Sequence, residues 1–115
     1  MKQWDVQLAE HAEHDLREIY EYIAFNLFAP DTAGNLIHRQ KTRIQGLDFM
    51  PLRHAAYPNE PWNSRGLRRV DEGNFAVFYI PSEANHVVTV IRIMYSGMDI
   101  NQILGAMLFE DTAET

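Results

Sequence analysis

Three arginines near the middle of the chain could bind an anionic group. Arg65, Arg68 and Arg69 lie within five residues of one another. Guanidinium groups bind phosphate and carboxylate oxygens with paired hydrogen bonds. Arg68 and Arg69 are consecutive in a predicted strand, so their side chains point to opposite faces and only one can enter a site on a given sheet face. The alternative is that these arginines form surface ion pairs, which contribute little.

Two further side chains could move a proton beside such an anion. His54 lies in a predicted loop, and its imidazole suits proton transfer near neutral pH. Tyr95 ends the longest predicted strand, where it offers a phenolic hydroxyl. The alternatives are a solvated loop histidine and a strand-end aromatic that packs with its hydroxyl in water.

The charge distribution places a basic segment inside an acidic chain. The net charge is −6, but residues 36–70 hold seven basic residues against two acidic ones. Residues 1–35 and 71–115 carry the acidic excess. A basic patch of this kind attracts phosphates or an acidic partner segment, whereas the acidic remainder opposes strong non-specific binding to nucleic acid.

Several other residues have both a binding and a structural interpretation. If Trp62 is exposed beside Arg65, it could stack on a base or anchor a partner. If it is buried, it covers the sheet, and we favour this second interpretation. Arg39 and Arg43 are predicted on a solvated helix face where an acidic partner could dock. The chain has no cysteine, and no third ligand accompanies its histidine pair near residue 11, so we predict neither a metal nor a cofactor.

Hydrophobic periodicity predicts seven elements in the order β-α-α-β-β-β-α. Alternation over residues 4–8 indicates a strand, and apolar spacings of three and four indicate helices over 10–27 and 32–48. A loop over 50–66 is followed by strands over 66–70, 74–80 and 86–95 and by a helix over 101–109. We therefore predict an α+β domain, with an αα-hairpin packed on a small antiparallel sheet that is mixed through strand 1.

This order of elements predicts where on the sheet the site should lie. The hairpin covers one face of the sheet, so the opposite face should present cationic side chains to a macromolecule. Residues 1–109 are predicted to form the single domain, and residues 110–115 a flexible acidic tail. No signal peptide or bilayer-spanning run is evident, which favours a cytoplasmic protein without a membrane partner.

Four segments in order resemble the RelE/ParE superfamily of type II toxin–antitoxin toxins. They cover residues 12–23, 65–68, 74–79 and 90–100. The resemblance implies a compact α+β toxin, neutralised by a cognate antitoxin that wraps it with an extended or helical segment. It also gives Arg68 more weight than Arg69, because Arg68 lies in the matching Arg-Gly-Leu-Arg segment.

The superfamily includes two activities, and the residues leave both open. RelE-like members cut mRNA on the ribosome with basic residues on the central strands, whereas ParE-like members poison DNA gyrase. Two positions where RelE-like nucleases carry a basic residue are Ala76 and Met98 here. The resemblance therefore favours a toxin that binds a host target, either the translation machinery or DNA gyrase.

The first alternative is an mRNA endonuclease that uses Arg68 and Tyr95, with His54 as a further candidate. The second is an inactive relative that binds only the antitoxin. For the binding toxin, the expected contacts to target or antitoxin come from Arg65, Arg69, Trp62, Arg39 and Arg43. The sequence identifies neither the target nor the antitoxin, and it leaves open a homodimer or a toxin–antitoxin hetero-oligomer.

Overall fold

The computed structural model describes the backbone of residues 3–114 and the side chains of residues 3–108. The helices are α1 Glu10–Glu21, α2 Pro30–Gln45 and α3 Ile100–Glu114, and the strands are β1 Asp5–Leu8, β2 Arg68–Glu72, β3 Phe75–Ser82 and β4 Val87–Tyr95. The strands form one sheet in the order β1-β4-β3-β2, in which β1 is parallel to β4 and the other pairs are antiparallel. The predicted α+β fold, with a sheet mixed through its first strand, is confirmed.

The α1–α2 hairpin packs on one face of the sheet. Its apolar positions meet the inward-facing residues of the strands in a core that includes Leu16, Ile44, Val77 and Val90. The predicted first helix continues past α1 as a π-helical turn, Tyr22–Asn26, and ends at Phe28, which has a left-handed φ of 53°. The amide of Ala29 bonds to the carbonyl of Ile23, a pairing typical of helix C-termini with a left-handed residue.

The second face of the sheet is also covered, and the expectation of an open cationic face is wrong. Trp62, Leu67, Phe78, Met94 and Leu104 form a second apolar core on this face. The cover consists of α3 and the loop that precedes β2. The physical reason lies in β3, where four consecutive residues from Ala76 to Tyr79 are fully buried. A strand that is apolar on both faces must be covered on both faces.

The last helix is longer than the sequence predicts. It extends to Glu114 rather than ending near residue 109. Its described residues Ile100, Ile103 and Leu104 turn toward the second core. The flexible tail assigned to residues 110–115 stays a prediction, because the side chains of 109–115 lie outside the described residues.

The loop before β2 is fastened to α3 by polar contacts. The Tyr57 hydroxyl and the Asn59 amide both donate to Oδ1 of Asn101 near the start of α3. The Trp62 indole N–H donates to the carbonyl of Leu104 over 3.1 Å. These bonds fix the position of α3 over the sheet, beside the outer edge of β2.

Candidate functional site

A groove of about 730 Å³ runs beside the outer edge of β2. We call it the edge groove, and its walls are residues 54–59, residues 69–71 of β2 and residues 98–101 at the start of α3. The loop pairs with the beginning of β2, since the Arg69 amide donates to the Ala55 carbonyl over 3.2 Å. By strand alternation the Asp71 amide faces the same open side, where no further strand of the described chain lies.

His54 lies at one end of the edge groove in a cationic setting. Its Nε2 atom is buried and has no hydrogen-bond partner among the described residues, and its ring meets Tyr79 edge-on with centroids 6.3 Å apart. Burial lowers the pKa of His54, and the nearby guanidinium groups of Arg53, Arg43 and Arg68 lower it further. Both effects favour the neutral form of the His54 imidazole over the charged form.

The two consecutive arginines of β2 point to opposite faces, as strand alternation predicts. Arg68 lies on the face toward the hairpin, where its Nη1 donates to the carbonyls of Leu52 and His54. Arg69 lies on the other face, with its guanidinium 5.6 Å from the Phe78 ring and its Nε 2.9 Å from Oδ1 of Asp71. Arg69, and not Arg68, lines the edge groove.

Tyr95 lies far from the other two candidates for proton and phosphate chemistry. It pairs with Phe75 on β3, whereas Arg68 pairs with Tyr79, four residues along the same strand. Tyr95 is therefore displaced from Arg68 by about 14 Å along the strand direction. It is also displaced by roughly 10 Å across the sheet, because β2 and β4 are two strand spacings apart. Tyr95 is half exposed and packs edge-on against Phe75. The structure therefore does not bring Arg68, His54 and Tyr95 together around one phosphate.

Trp62 is buried, as the covering alternative predicts. Only 6% of its surface is accessible, so an exposed ring that stacks on a base does not fit the structure. Arg65 lies over the Trp62 ring with its guanidinium carbon 5.2 Å from the ring centroid. Trp62 and Arg65 thus form part of the cover of the second core, with Arg65 on its outer surface.

Arg39 and Arg43 lie in a second concavity of about 400 Å³, which we call the basic cleft. Its walls are His38, Arg39, Thr42, Arg43, Gly46, Arg53 and Glu72. Arg53 was not among the sequence candidates, although its place in a turn after α2 was a usable signal. The cleft lies across the C-terminal half of α2, on the hairpin side of β2.

Sequence reasoning also missed the most buried charged pair. Arg92 of β4 binds Asp15 of α1 with two bonds of 2.7 and 2.9 Å, and Asp15 also accepts the Ile93 amide over 2.8 Å. Asp15 is only 6% exposed. The available signal was its position, one helical turn after Ala12 on the buried stripe. A carboxylate placed there requires a cationic or N–H partner.

The environment of His54 predicts a pH dependence of stability. Because the folded-state pKa of His54 lies below the ordinary histidine value of 6.5, the unfolded chain binds a proton more readily. The contribution of neutral His54 is complete above pH 6.5 and is lost as the pH falls toward the folded-state pKa. His54→Gln should therefore flatten the decline of unfolding free energy below pH 6.5, by at most about 1.4 kcal/mol per pH unit. Urea denaturation at closely spaced pH values measures this, and equal slopes in the two proteins would contradict it.

The described part of the chain shows neither a metal-binding cluster nor a membrane-spanning helix. Within residues 3–108, no three His, Asp or Glu side chains are close enough together to hold a metal ion. None of the helices in residues 3–114 is both long enough and apolar enough to cross a bilayer.

Sequence comparison with protein families settles the classification. Residues 6–100 match the model of the ParE toxin of the type II toxin–antitoxin system parDE. The chain belongs to the ParE toxin family. No individually curated protein matches it in sequence.

Solved structures of related toxins share the fold of this ParE-family chain at low sequence identity. The chromosomal ParDE system of P. aeruginosa aligns with a TM-score of 0.65 and 19% identity, over 81% of this chain and 96% of that one. The RelBE2 toxin–antitoxin complex of Mycobacterium tuberculosis aligns with a TM-score of 0.59 and 17% identity, over 83% and 93% of the chains. The RelE–RelB complex of Pyrococcus horikoshii OT3 gives 0.56 and 12%, over 83% and 97%.

Proposed function

We propose that this chain is the toxin of a type II toxin–antitoxin module and that it inhibits growth by binding a host macromolecule. The target is the translation machinery or DNA gyrase, and a cognate antitoxin neutralises the toxin. The observation that carries this proposal is the match of residues 6–100 to the ParE toxin family. Complexes among the structural relatives, including RelBE2 and RelE–RelB, support an antitoxin partner.

The edge groove is the surface that we assign to the target. Both sheet faces are covered, and the edge groove is a concave surface of about 730 Å³ that remains on the outer side of β2. Arg69 contributes a cation there, but Asp71 and Asp99 contribute carboxylates, and Asn59 and Asn101 contribute amides. Mixed charge of this kind suits a protein surface better than a nucleic-acid backbone, which selects cations alone.

The endonuclease alternative has less support from the geometry. Metal-free RNA cleavage needs a base, an acid and cations around one phosphate. Arg68 donates to two loop carbonyls instead, and Tyr95 lies two strands away. Ala76 is fully buried and Met98 is apolar, so neither supplies the cation of a RelE-like site.

Induced expression with and without the neighbouring open reading frame tests the proposal. We expect growth arrest from the toxin alone and recovery with the neighbour, without codon-positioned cuts in translated mRNA. An accompanying SOS response is expected if the target is gyrase. Mapped cuts would support the endonuclease, and unimpaired growth at confirmed expression would support the inactive relative.

Arg69→Ala should weaken the arrest while the protein stays folded. Removing the one cation of β2 that lines the groove should raise the inducer concentration needed for arrest by about tenfold. Arg17→Ala, which removes an exposed arginine on α1, is the matched control and should leave the arrest unchanged. Equal toxicity of Arg69→Ala and the wild type would remove the edge groove as the target site.

A further inference from the structure

The basic cleft is followed in the chain by a short segment with exposed apolar side chains. Arg53 joins the two parts, because its Nη1 donates to the Phe49 carbonyl over 2.6 Å while its side chain lines the cleft. Phe49, Met50 and Leu52 are 41%, 56% and 40% exposed. We call this the α2-end surface, and its members are Arg39, Arg43, Phe49, Met50, Leu52 and Arg53.

The charge of the α2-end surface is positive and only partly compensated. Glu72 is the acidic residue among the cleft walls, and its Oε1 lies 3.4 Å from Nε of Arg43. Arg39 has no ion-pair partner within the described residues. Three guanidinium groups therefore face one carboxylate, in a chain whose net charge is −6. This surplus attracts an acidic ligand to this surface in particular.

The spacing of the cations matches a helical partner. Arg39 and Arg43 are four residues apart on α2, so their Cβ atoms are neighbours about 6 Å apart on one helix face. Acidic side chains one helical turn apart on a partner segment would meet them in register. Both arginines are exposed, so a partner reaches them without rearrangement of the fold.

The apolar half of the α2-end surface decides between two kinds of partner. A nucleic-acid backbone gains affinity from cations and gains nothing from half-exposed Phe49, Met50 and Leu52. An amphipathic helix buries its apolar face on such side chains and pairs its charges at the rim. The combination of three cations with three large apolar groups therefore favours a peptide.

We infer that the α2-end surface binds an acidic amphipathic segment of the antitoxin. This inference rests on the proposed function, since it names the segment by which that partner holds the toxin. Carboxylates one turn apart pair with Arg39, Arg43 and Arg53, and the apolar face of the segment covers Phe49, Met50 and Leu52. The edge groove lies on the other side of the 51–54 turn and is a separate surface.

Fluorescence anisotropy with the full-length chain tests the inference. The probe is a labelled helical peptide of about 16 residues built from leucine, alanine and glutamate, with the leucines on one face. A scrambled peptide of the same composition is its control. We expect the amphipathic peptide to bind at least about tenfold more tightly than the scrambled one, and to weaken as salt rises from about 0.05 to 0.5 M.

Variants separate this surface from the rest of the chain. Arg43→Glu with Arg53→Glu, and separately Phe49→Ala with Leu52→Ala, should each weaken peptide binding by about tenfold. Arg17→Glu makes a charge reversal outside the surface and should leave binding within about twofold. Circular dichroism establishes that each variant is folded. Unchanged binding in both double variants would overturn the inference.

The competing occupants have their own outcomes. Binding of a single-stranded RNA or a DNA duplex that is lost in the same variants, with no preference between the two peptides, would overturn the inference in favour of nucleic acid. A dimer in sedimentation that the arginine variant dissociates and the peptide does not would overturn it in favour of a second copy. Growth arrest without peptide binding removes only this inference, whereas peptide binding without arrest removes only the proposed function.

Discussion

Asp15→Ala should lower the free energy of unfolding by about 3–5 kcal/mol, because it leaves the largely buried Arg92 guanidinium without its counter-charge. The variant also removes the acceptor of the Ile93 amide, which lies in the buried part of β4. Urea denaturation at pH 7 measures the change. The effect is large because Asp15 joins α1 to β4 through three hydrogen bonds.

Two variants make this result specific to burial. Asp71→Ala removes the carboxylate of the exposed Arg69 pair and should cost less than about 1 kcal/mol. Asp15→Leu combined with Arg92→Met removes both charges and should recover most of the loss, since well-packed apolar residues often replace a buried pair without penalty. A double variant as unstable as Asp15→Ala would show that the cost arises from packing rather than from the unpaired charge.

Trp62→Ala should lower the free energy of unfolding by a comparable amount, about 3–5 kcal/mol. The indole fills the second core between the loop and α3, and its N–H holds the Leu104 carbonyl. Its removal leaves a cavity under α3 and frees the loop from the helix. Denaturation monitored by far-ultraviolet circular dichroism measures the change.

Trp62→Phe and Phe28→Ala are the controls for that result. Trp62→Phe keeps much of the ring volume and loses the N–H bond, so it should cost about 1–2 kcal/mol. Phe28 is 88% exposed, so its truncation to alanine should change stability by less than about 0.5 kcal/mol. If Trp62→Ala proved as mild as Phe28→Ala, the second core would not hold α3 in place.

Closure of both sheet faces changes how this toxin can meet other molecules. A concave sheet face could surround a phosphate, whereas the open surfaces here are a strand edge and a helix end. The edge groove has mixed charge, and the α2-end surface is cationic and apolar. We propose separate surfaces for the target and the antitoxin, so single substitutions should affect one interaction at a time.

The sequence predicted the elements and their arrangement because local patterns carry that information. Alternation in β1, spacings of three and four in α1 and α2, and turn residues around β3 each depend on a few adjacent residues. Even the double-sided burial of β3 was encoded in its continuous apolar run. The expectation of an open face was wrong because a strand with apolar side chains on both sides is stable only when both faces of the sheet are covered.

The positions of the charged side chains were decided by tertiary structure alone. Asp15 and Arg92 are 77 residues apart, and no local pattern pairs them. Strand alternation predicted that Arg68 and Arg69 would diverge, but which one faced the hairpin depended on the register of β2 against β3. Side-chain partners depend on contacts between distant segments, whereas helices and strands depend on neighbours. The fold could therefore be predicted from the sequence. The positions of the open surfaces could be identified only from the tertiary structure.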